Sequence, residues 1–503
     1  MSPSSVLVVG AGPTGLALAC GLRGAGVPVH VVDRAAGPAT TSRALGLQPR
    51  GVEVLSRLGA LGDLPARSLA VRQIVVHVGG RELGRLAVGR PTPLVRRPGL
   101  LVSQALIEER LRRKLAELGC EPRWGREVVG LEQHGDGVVA TLAGGDVVRA
   151  AWVVGCDGAH SPVRKVAGIG FPGVPLVERF LLADVRAGLP LDRDTVAVWL
   201  DGEDMIAAFP LPGEDHWRLM APAANGTADL DDDAVLDQLT SRLALRSGLA
   251  TGVVQEALWT STFRFHRRLA DTYRTGRVLL AGDAAHIHSP FGGQGLNTGI
   301  GDAENLAWKL ALVCTGRAAP DLLDTYEAER RPIAEDVLAS TSGLTRLVMG
   351  GSTAARLVRD HVLVPLMNHR AVQRLIWERS SQLLTSYRGG PLARRGRARP
   401  RPGDRVPDLP CRTTDRAATS LHTVLRGGWA VVAADPTRRA TCAAAAAEWV
   451  GHDAVTQLTP EPATHRDALL VRPDAHLAWR GTDPAGLRRW FTDALKPARE
   501  DSR

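Results

Sequence analysis

SVLVVGAGPTGLALACGLRGAGVPVHVVDR, residues 5 to 34, opens on a continuous apolar run, turns on three glycines, proceeds with helical spacing and closes on a second apolar run that ends in an acid. A run apolar at consecutive positions reads as a strand buried on both faces, the signature of a parallel sheet covered by helices. Gly10, Gly12 and Gly15 spell GxGxxG at the strand-to-helix turn, and Asp33 stands at the tip of the next strand. Each part has a physical task. The first glycine makes the tight turn, the second lets amides approach a pyrophosphate, and the third lets helix and strand pack closely. The positive end of the helix offsets phosphate charge, and Asp33 can accept from a ribose hydroxyl. Pro13, Thr14 and Arg34 lie within the same turns. The unit predicts a bound dinucleotide without deciding between FAD and NAD.

Two further stretches decide for a flavin. In RVLLAGDAAHIHSPFGGQGLNTGIGDAENLAWKL, residues 277 to 310, a buried strand ends in Asp283, at the edge where open α/β sheets hold ligands. An unpaired carboxylate there is costly, and a ribityl hydroxyl would satisfy it. The following glycine turn, with Gly293, Gly295, Leu296 and Asn297, opens a helix whose free amides can face the pyrimidine edge of an isoalloxazine. CDGAHSPVRK, Cys156 to Lys165, repeats the pattern: a strand, an acid (Asp157) and a turn.

Around these motifs the chain reads as several domains. Its 503 residues are 44% hydrophobic and 23% charged, ordinary for a globular protein. The net charge of +9 is almost all arginine, scattered along the chain, with lysine only at 114, 165, 309 and 496. The densest group, Arg394, Arg395, Arg397, Arg399 and Arg401, lacks interleaved aromatics and reads as a solvated linker, so no nucleic-acid partner is expected. The six cysteines form no close pair and no metal pattern, which fits reduced thiols in a cytoplasm, and no metal site is expected. The N-terminal apolar run is broken by Gly and Pro and has no basic lead, so neither a signal peptide nor a membrane partner is expected.

SQALIEERLRRKLAEL, residues 103 to 118, has the spacing of an amphipathic helix, and residues 127 to 158 read as short strands joined by HGDG and GG turns. The aromatics of 175 to 270 predict an antiparallel sheet inserted into the α/β body. The expected division is 1–174 as the first part of the nucleotide domain, with a β insertion near 71–100; 175–270 as the substrate sheet; 271–387 as the second part with helices; 388–402 as a linker; and 403–503 as a small α/β domain.

GAGPTG (10 to 15), CDGAHSPVR (156 to 164) and AGDAAHIHSPFGGQGLNTGIGDAENLAWKLA (281 to 311), in that order, resemble the FAD-dependent aromatic hydroxylases, the single-component class A flavoprotein monooxygenases. Their bacterial polyketide-tailoring and phenol-hydroxylase-like branch is the nearest likeness, and PGDRVPDLP (402 to 410) and LLVRPDAHLAWR (469 to 480) resemble parts of its C-terminal domain. The resemblance implies a Rossmann-like FAD-binding fold of the p-hydroxybenzoate hydroxylase type, an inserted antiparallel substrate sheet and a C-terminal thioredoxin-like α/β domain. That last domain has no CxxC here, so it would be redox-inactive. By likeness Arg43 and Gln104 contact the flavin or its phosphates, Val128 lies beside the adenine, Pro290 fits against the flavin ring, and Arg43 moves with a swinging flavin. His160 stands where the family commonly has Arg, and Gly301 where it has Gln; neither change removes an acid or a glycine of the motifs.

The activity so implied uses non-covalently bound FAD, NADPH or NADH as transient co-substrate, and O2. A flavin hydroperoxide hydroxylates an aromatic small molecule, a polycyclic polyketide phenol or quinone, in secondary-metabolite and antibiotic biosynthesis. Trp199, Met205, Phe209 and Trp217 are candidate pocket walls on the aromatic-rich strands. No second GxGxxG serves the nicotinamide, and His286 and His288 are not assigned as bases, since the phenol can supply its own activation. The rivals are a Baeyer–Villiger or epoxidising oxygenase, a halogenase (its WxWxIP-type motif is absent) and an inactive flavin-binding scaffold. The expected assembly is a monomer or homodimer.

Overall fold

The computed structural model describes residues 5–40, 44–202, 204–223, 230–287, 293–349, 353–394, 396, 398–426, 428–462 and 466–495. The apolar run Val6–Val9 is a strand buried at every residue. Val29–Val32 pairs with it in parallel on one side and Trp152–Gly155 on the other. Val278–Leu280 extends the sheet in parallel beyond Trp152–Gly155, and the short Arg274–Thr275 closes that edge antiparallel. The three acid-bearing strands therefore lie in one sheet, with Val6–Val9 between the strand of Asp33 and that of Asp157.

Helices Pro13–Gly24 and Gly295–Cys314 pack against each other across this sheet. Small residues permit the close crossing: a Cβ on Gly21 would stand 2.7 Å from Ala307 Cβ, and one on Gly299 would stand 2.3 Å from Thr14 Oγ1. Helix Gly295–Cys314 is buried from Asn297 through Leu312, so its polar residues Asp302, Glu304, Asn305 and Lys309 must find their partners inside the protein. The periodic stretch at 103 to 118 forms helix Gln104–Glu117, started by Ser103, whose side chain accepts from Ala105 N at 3.2 Å. Val128–Gln133, Val138–Leu142 and Val147–Ala150 make a three-stranded antiparallel sheet.

The second layer is an eight-stranded sheet in the order His286–Ile287, Val254–Leu269, Gly173–Ala187, His216–Pro222, Asp204–Pro210, Thr195–Asp201, Gln73–Val78, Arg81–Ala87. Its pairings are antiparallel except that of Thr195–Asp201 with Gln73–Val78. The hairpin from residues 73–87 thus completes the sheet formed by 173–269, and His286–Ile287, just past Asp283, couples it to the nucleotide domain. Helix Asp232–Ser247 covers one face through Val235, Leu239 and Leu243.

At the C-terminus, Trp429–Val432, helix Pro436–Val450 and the parallel strand Val455–Pro460 form a βαβ unit. The antiparallel hairpin Ala468–Val471/Leu477–Gly481 and helix Pro484–Leu495 follow. The 388–402 stretch is mostly exposed among its described residues, and it is tied to the fold at a few points. Leu392 is buried in one cluster with Trp308, Trp429 and Trp490, its carbonyl accepts from Trp490 Nε1 (3.1 Å), and Arg399 O accepts from Arg480 (2.6 Å). Pro and Gly disfavour regular secondary structure there, but they do not exclude contacts. Among the described residues all six cysteines are unpaired, no group of side chains has metal-ligand spacing, and no helix is long and apolar enough to cross a membrane.

Candidate cofactor cleft and substrate face

The glycine turn works by close approach on one side and open space on the other. Gly10 has φ of +105°, and a Cβ there would lie 2.3 Å from Cys156 O; a Cβ on Gly15 would lie 2.0 Å from Gly10 O. At Gly12 a Cβ would meet nothing within 4 Å, so this residue faces an open recess in front of helix Pro13–Gly24. Gly12 is the N-cap, no side chain caps the helix, and its first turn holds no acid. The amide dipoles at this end are left for an anion. Asp33 pins the turn, accepting from Ala11 N (2.7 Å) and Ala35 N (2.8 Å), and Arg34 beside it is exposed. The carboxylate expected to meet a ribose therefore also builds the loop that would hold the phosphates.

Asp157 and Asp283 follow their strands into the same region. Asp157 Oδ2 accepts from Val163 N (3.0 Å), while the buried Oδ1 has no partner among the described residues. Burial raises its carboxyl pKa, against the pull of Ser161, Val163 and Arg164. Asp283 sits in a short 3-10 turn, Gly282–Ala284, crowded by protein yet exposed along one side. Crowding pushes its pKa up, opposed by His286 and reinforced by Asp302. Arg164 locks the two segments together, donating to Ala284 O (2.8 Å) and Ala159 O (2.9 Å) over the ring of Phe171 (3.8 Å). His160, where an Arg was expected, is exposed at the end of this turn.

Beneath Asp283 lies a group that the sequence reading did not single out. Fully buried Asp302 accepts from Gly282 N (3.1 Å) and His286 Nε2 (2.6 Å) through Oδ2, and from Arg330 Nε (2.7 Å) through Oδ1. Burial alone would raise its pKa, but Arg330 and His286 hold it below the usual carboxylate range. His286 is 1% exposed and committed to this pair, so it is part of the scaffold rather than a base within reach of a ligand. An acid within the buried helix segment GIGDAENLA was the available signal for Asp302.

Helix Gly295–Cys314 also starts without a side-chain cap or a first-turn acid, with Gly293 at φ of +60° just before it. Gly295 and Leu296 line this half-buried start. Asn297 is buried and spent on the protein: Oδ1 accepts from Gln48 N (2.8 Å), and Nδ2 donates to Gly293 O (3.0 Å) and Gly46 O (3.4 Å). Thr14 packs against Gly282 and Gly299, so the starts of the two helices meet at the tip that carries Asp283. Gln104 Nε2 donates to Glu108 Oε1 (2.8 Å), a buried carboxyl that burial raises. Val128 is 1% exposed and packs in the main core, so its side chain presents no surface to a ligand. Arg43, His288, Pro290 and Gly292 lie outside the described residues.

The four candidate pocket walls divide between two faces. Trp199 (5% exposed) and Trp217 (1%) pack with Ile206, Leu219 and the residues of helix Asp232–Ser247, and Trp199 stacks on His77 at 5.4 Å. They are sealed core, which corrects the reading of them as pocket walls. Strand alternation puts Met205 and Phe209 on the opposite face with Ala207, Val198 and Met220; Met205 is buried there at 1% exposed, and Phe209 and Met220 are half-buried.

The open recess at Gly12, the unpartnered Asp157 oxygen and the exposed Asp283 fit a flavin dinucleotide: a pyrophosphate at the first helix, hydroxyls for the carboxylates and an electron-rich ring edge at the second helix. Residues 3–341 match the FAD binding domain family, and residues 399–498 match the family of aromatic-ring hydroxylase C-terminal domains. The chain is 37% identical to the rifampicin monooxygenase of Streptomyces venezuelae over 487 residues, 96% of each chain. It also resembles the solved OxyS anhydrotetracycline hydroxylase from Streptomyces rimosus, at 34% identity and a TM-score of 0.80, covering 98% of this chain and 99% of that one. A ternary complex of aklavinone-11 hydroxylase with FAD and aklavinone matches at 27% identity and a TM-score of 0.80, with 98% and 99% covered. With the glycine recess, the acid-tipped strands and both domains accounted for, this chain belongs to the FAD-dependent aromatic-ring hydroxylases, a family of flavoprotein monooxygenases.

Proposed function

We propose that this protein hydroxylates a polycyclic aromatic polyketide, a phenol or quinone, using NADPH or NADH and O2. The observation that carries the reading is that two uncapped helix starts meet at Thr14, Gly282 and Gly299, beside the tips of two adjacent parallel strands that lead into Asp157 and Asp283. FAD held there supplies electron transfer from the nicotinamide and activation of O2. In this reading Gly10, Gly12, Pro13, Thr14 and Gly15 cradle the pyrophosphate, and Asp33 and Arg34 serve the ribose end. Asp157 and Asp283 accept from hydroxyls of the ribityl chain. The amides from Gly293 to Asn297 face the ring edge where negative charge gathers, and fixed dipoles stabilise such charge without reorganising.

Phe209 and Met220, backed by the buried Met205 and Ala207, provide the apolar wall that orients a flat substrate and excludes water. His286 is closed off by Asp302, so proton handling falls to the phenol itself. By domain, 1–174 and 271–387 hold the cofactor, 175–270 holds the substrate, and 403–503 buttresses them. The relatives' biosynthetic roles and the unpaired thiols support a cytoplasmic site of action, and the chain acts as a monomer or homodimer.

The test is to purify the protein, record its visible spectrum and screen polycyclic phenols for faster NAD(P)H oxidation in labelled O2. The expected product gains one oxygen atom on an aromatic carbon. A ring-expanded ester or an epoxide would replace hydroxylation with a Baeyer–Villiger or epoxidising reaction. A colourless protein that cannot be reconstituted would refute the cofactor assignment.

A further inference from the structure

The cofactor cleft and the C-terminal domain are joined by two groups of buried polar contacts that meet at the ring of Tyr387 and at the adjacent residues Glu329 and Arg330. From the cleft, Asp302 holds Arg330 (2.7 Å), and Arg330 donates to Thr298 O (3.0 Å) and to the Tyr387 hydroxyl (3.1 Å). The Tyr387 ring lies 4.1 Å from the ring of His476, at the turn of the C-terminal hairpin, and Arg472 lies 5.2 Å from the same ring. Arg472 grips both oxygens of Glu329 (2.7 and 3.0 Å), the residue just before Arg330, and also binds Asp474. Lys309 and Asn305 each donate to Glu329 Oε2 at 2.8 Å. Trp308 Nε1 reaches Asp474 Oδ2 (3.2 Å), and Arg50 donates to Asp474 O (2.9 Å) and Glu304 (2.7 Å).

Two helices thus bear a residue on each side. Helix Asp324–Met349 turns Glu329 to the hairpin and Arg330 to the cleft, and helix Gly295–Cys314 does the same with Lys309 and Asp302. All these groups are buried, and Arg472 and Lys309 balance Glu329 and Asp474. A buried ionic cluster is a weak source of net stability, because desolvation cancels most of the attraction. Directional, bidentate contacts fix instead one register of the parts they join.

We propose that the hairpin Arg472–His476 sets the position of the turn Gly282–Asp283, with Arg472 and Asp474 as positioning residues that act through Glu329, Arg330 and Asp302. The C-terminal domain is then a working part of the cleft, although it lacks a redox dithiol. This rests on the reading of the cleft as the FAD site, and the two can fail separately: wild-type apo-protein that does not bind FAD refutes the reading, whereas variants that bind like wild type refute only the positioning.

The experiment uses the full chain. Asp474→Asn and Arg472→Met are compared with Leu487→Ala, a buried apolar residue of the last helix whose side chain forms no bond of the ionic cluster. FAD is titrated into each apo-protein by flavin fluorescence quenching, the visible circular dichroism of bound flavin is recorded, and Tm is measured. The expected result is FAD binding about tenfold weaker, with an altered dichroic band, in Asp474→Asn and Arg472→Met. Leu487→Ala lowers Tm and leaves both flavin readouts as in wild type. Flavin affinity and dichroism that follow Tm alone across all three variants would overturn the inference. Should Asp474→Asn fail to fold, Arg472→Lys decides, since it keeps the charge and loses the fork: weaker FAD binding supports positioning, and wild-type binding overturns it.

Discussion

At the seam with the C-terminal domain, Glu329 receives Arg472, Lys309 and Asn305, and no oxygen of it is left over. At the cleft, a half-buried Asp157 keeps one buried oxygen without a partner, and Asp283 opens to solvent. Burial acts on both places and the outcomes oppose: partners hold Glu329 down at about 2, whereas Asp157 and Asp283 are pushed up. Where the protein supplies the counter-charge, a carboxylate is structure. Where the counter-charge is too weak to offset burial, the carboxylate is left for a ligand.

The largest effect expected from this contrast is at the seam. Lys309→Met removes one of the two cations bonded to Glu329 and should destabilise by about 3–5 kcal/mol; a change under about 1 kcal/mol in a denaturant titration would erase the distinction. Next comes a pair of glycines. Gly15→Ala forces a methyl against Gly10 O and should cost about 3 kcal/mol together with flavin binding. Gly12→Val enters open space, so Tm should hold while the protein purifies without its yellow colour.

Acid separates the two regions by sign. Glu329 drops from its ordinary 4.5 to about 2 in the fold, so its stabilisation is complete above 4.5 and is lost as pH falls towards 2. Asp283 shifts the other way: its folded form favours the proton, so apo-protein stability falls as pH rises from the ordinary 3.8 through the raised value. Asp283→Asn should therefore raise the Tm of apo-protein at neutral pH and weaken FAD binding by about tenfold, the loss of a charge-assisted bond. A variant both less stable and unchanged in FAD affinity would contradict this. The smallest effect separates the two sheet faces: Phe209→Leu should raise KM for substrate a few-fold, about 1 kcal/mol of contact, while the more buried Trp217→Phe should lower Tm and leave KM alone.

The nucleotide half of the site was legible because its chemistry is local. GxGxxG, Asp33, Asp157 and Asp283 each sit at a strand end, and a strand end is visible in a few residues of pattern. Trp199 and Trp217 were misplaced because alternation along a strand shows which residues share a face but not which face a distant helix will cover. Lys309 carried a signal in hindsight, a rare lysine inside the apolar run NLAWKLAL, yet nothing local named its partner at 329 or the hairpin at 472.

What the chain dictates by itself is the set of acid-tipped strands and glycine turns, since backbone geometry at a turn depends on a handful of adjacent residues. The tertiary structure alone decides which buried charges find each other, because Asp302, Arg330, Glu329 and Arg472 meet only after two helices and a separate domain have closed over them. Coulombic pairing in a dry interior depends on distance in space, and separation along the chain does not encode it.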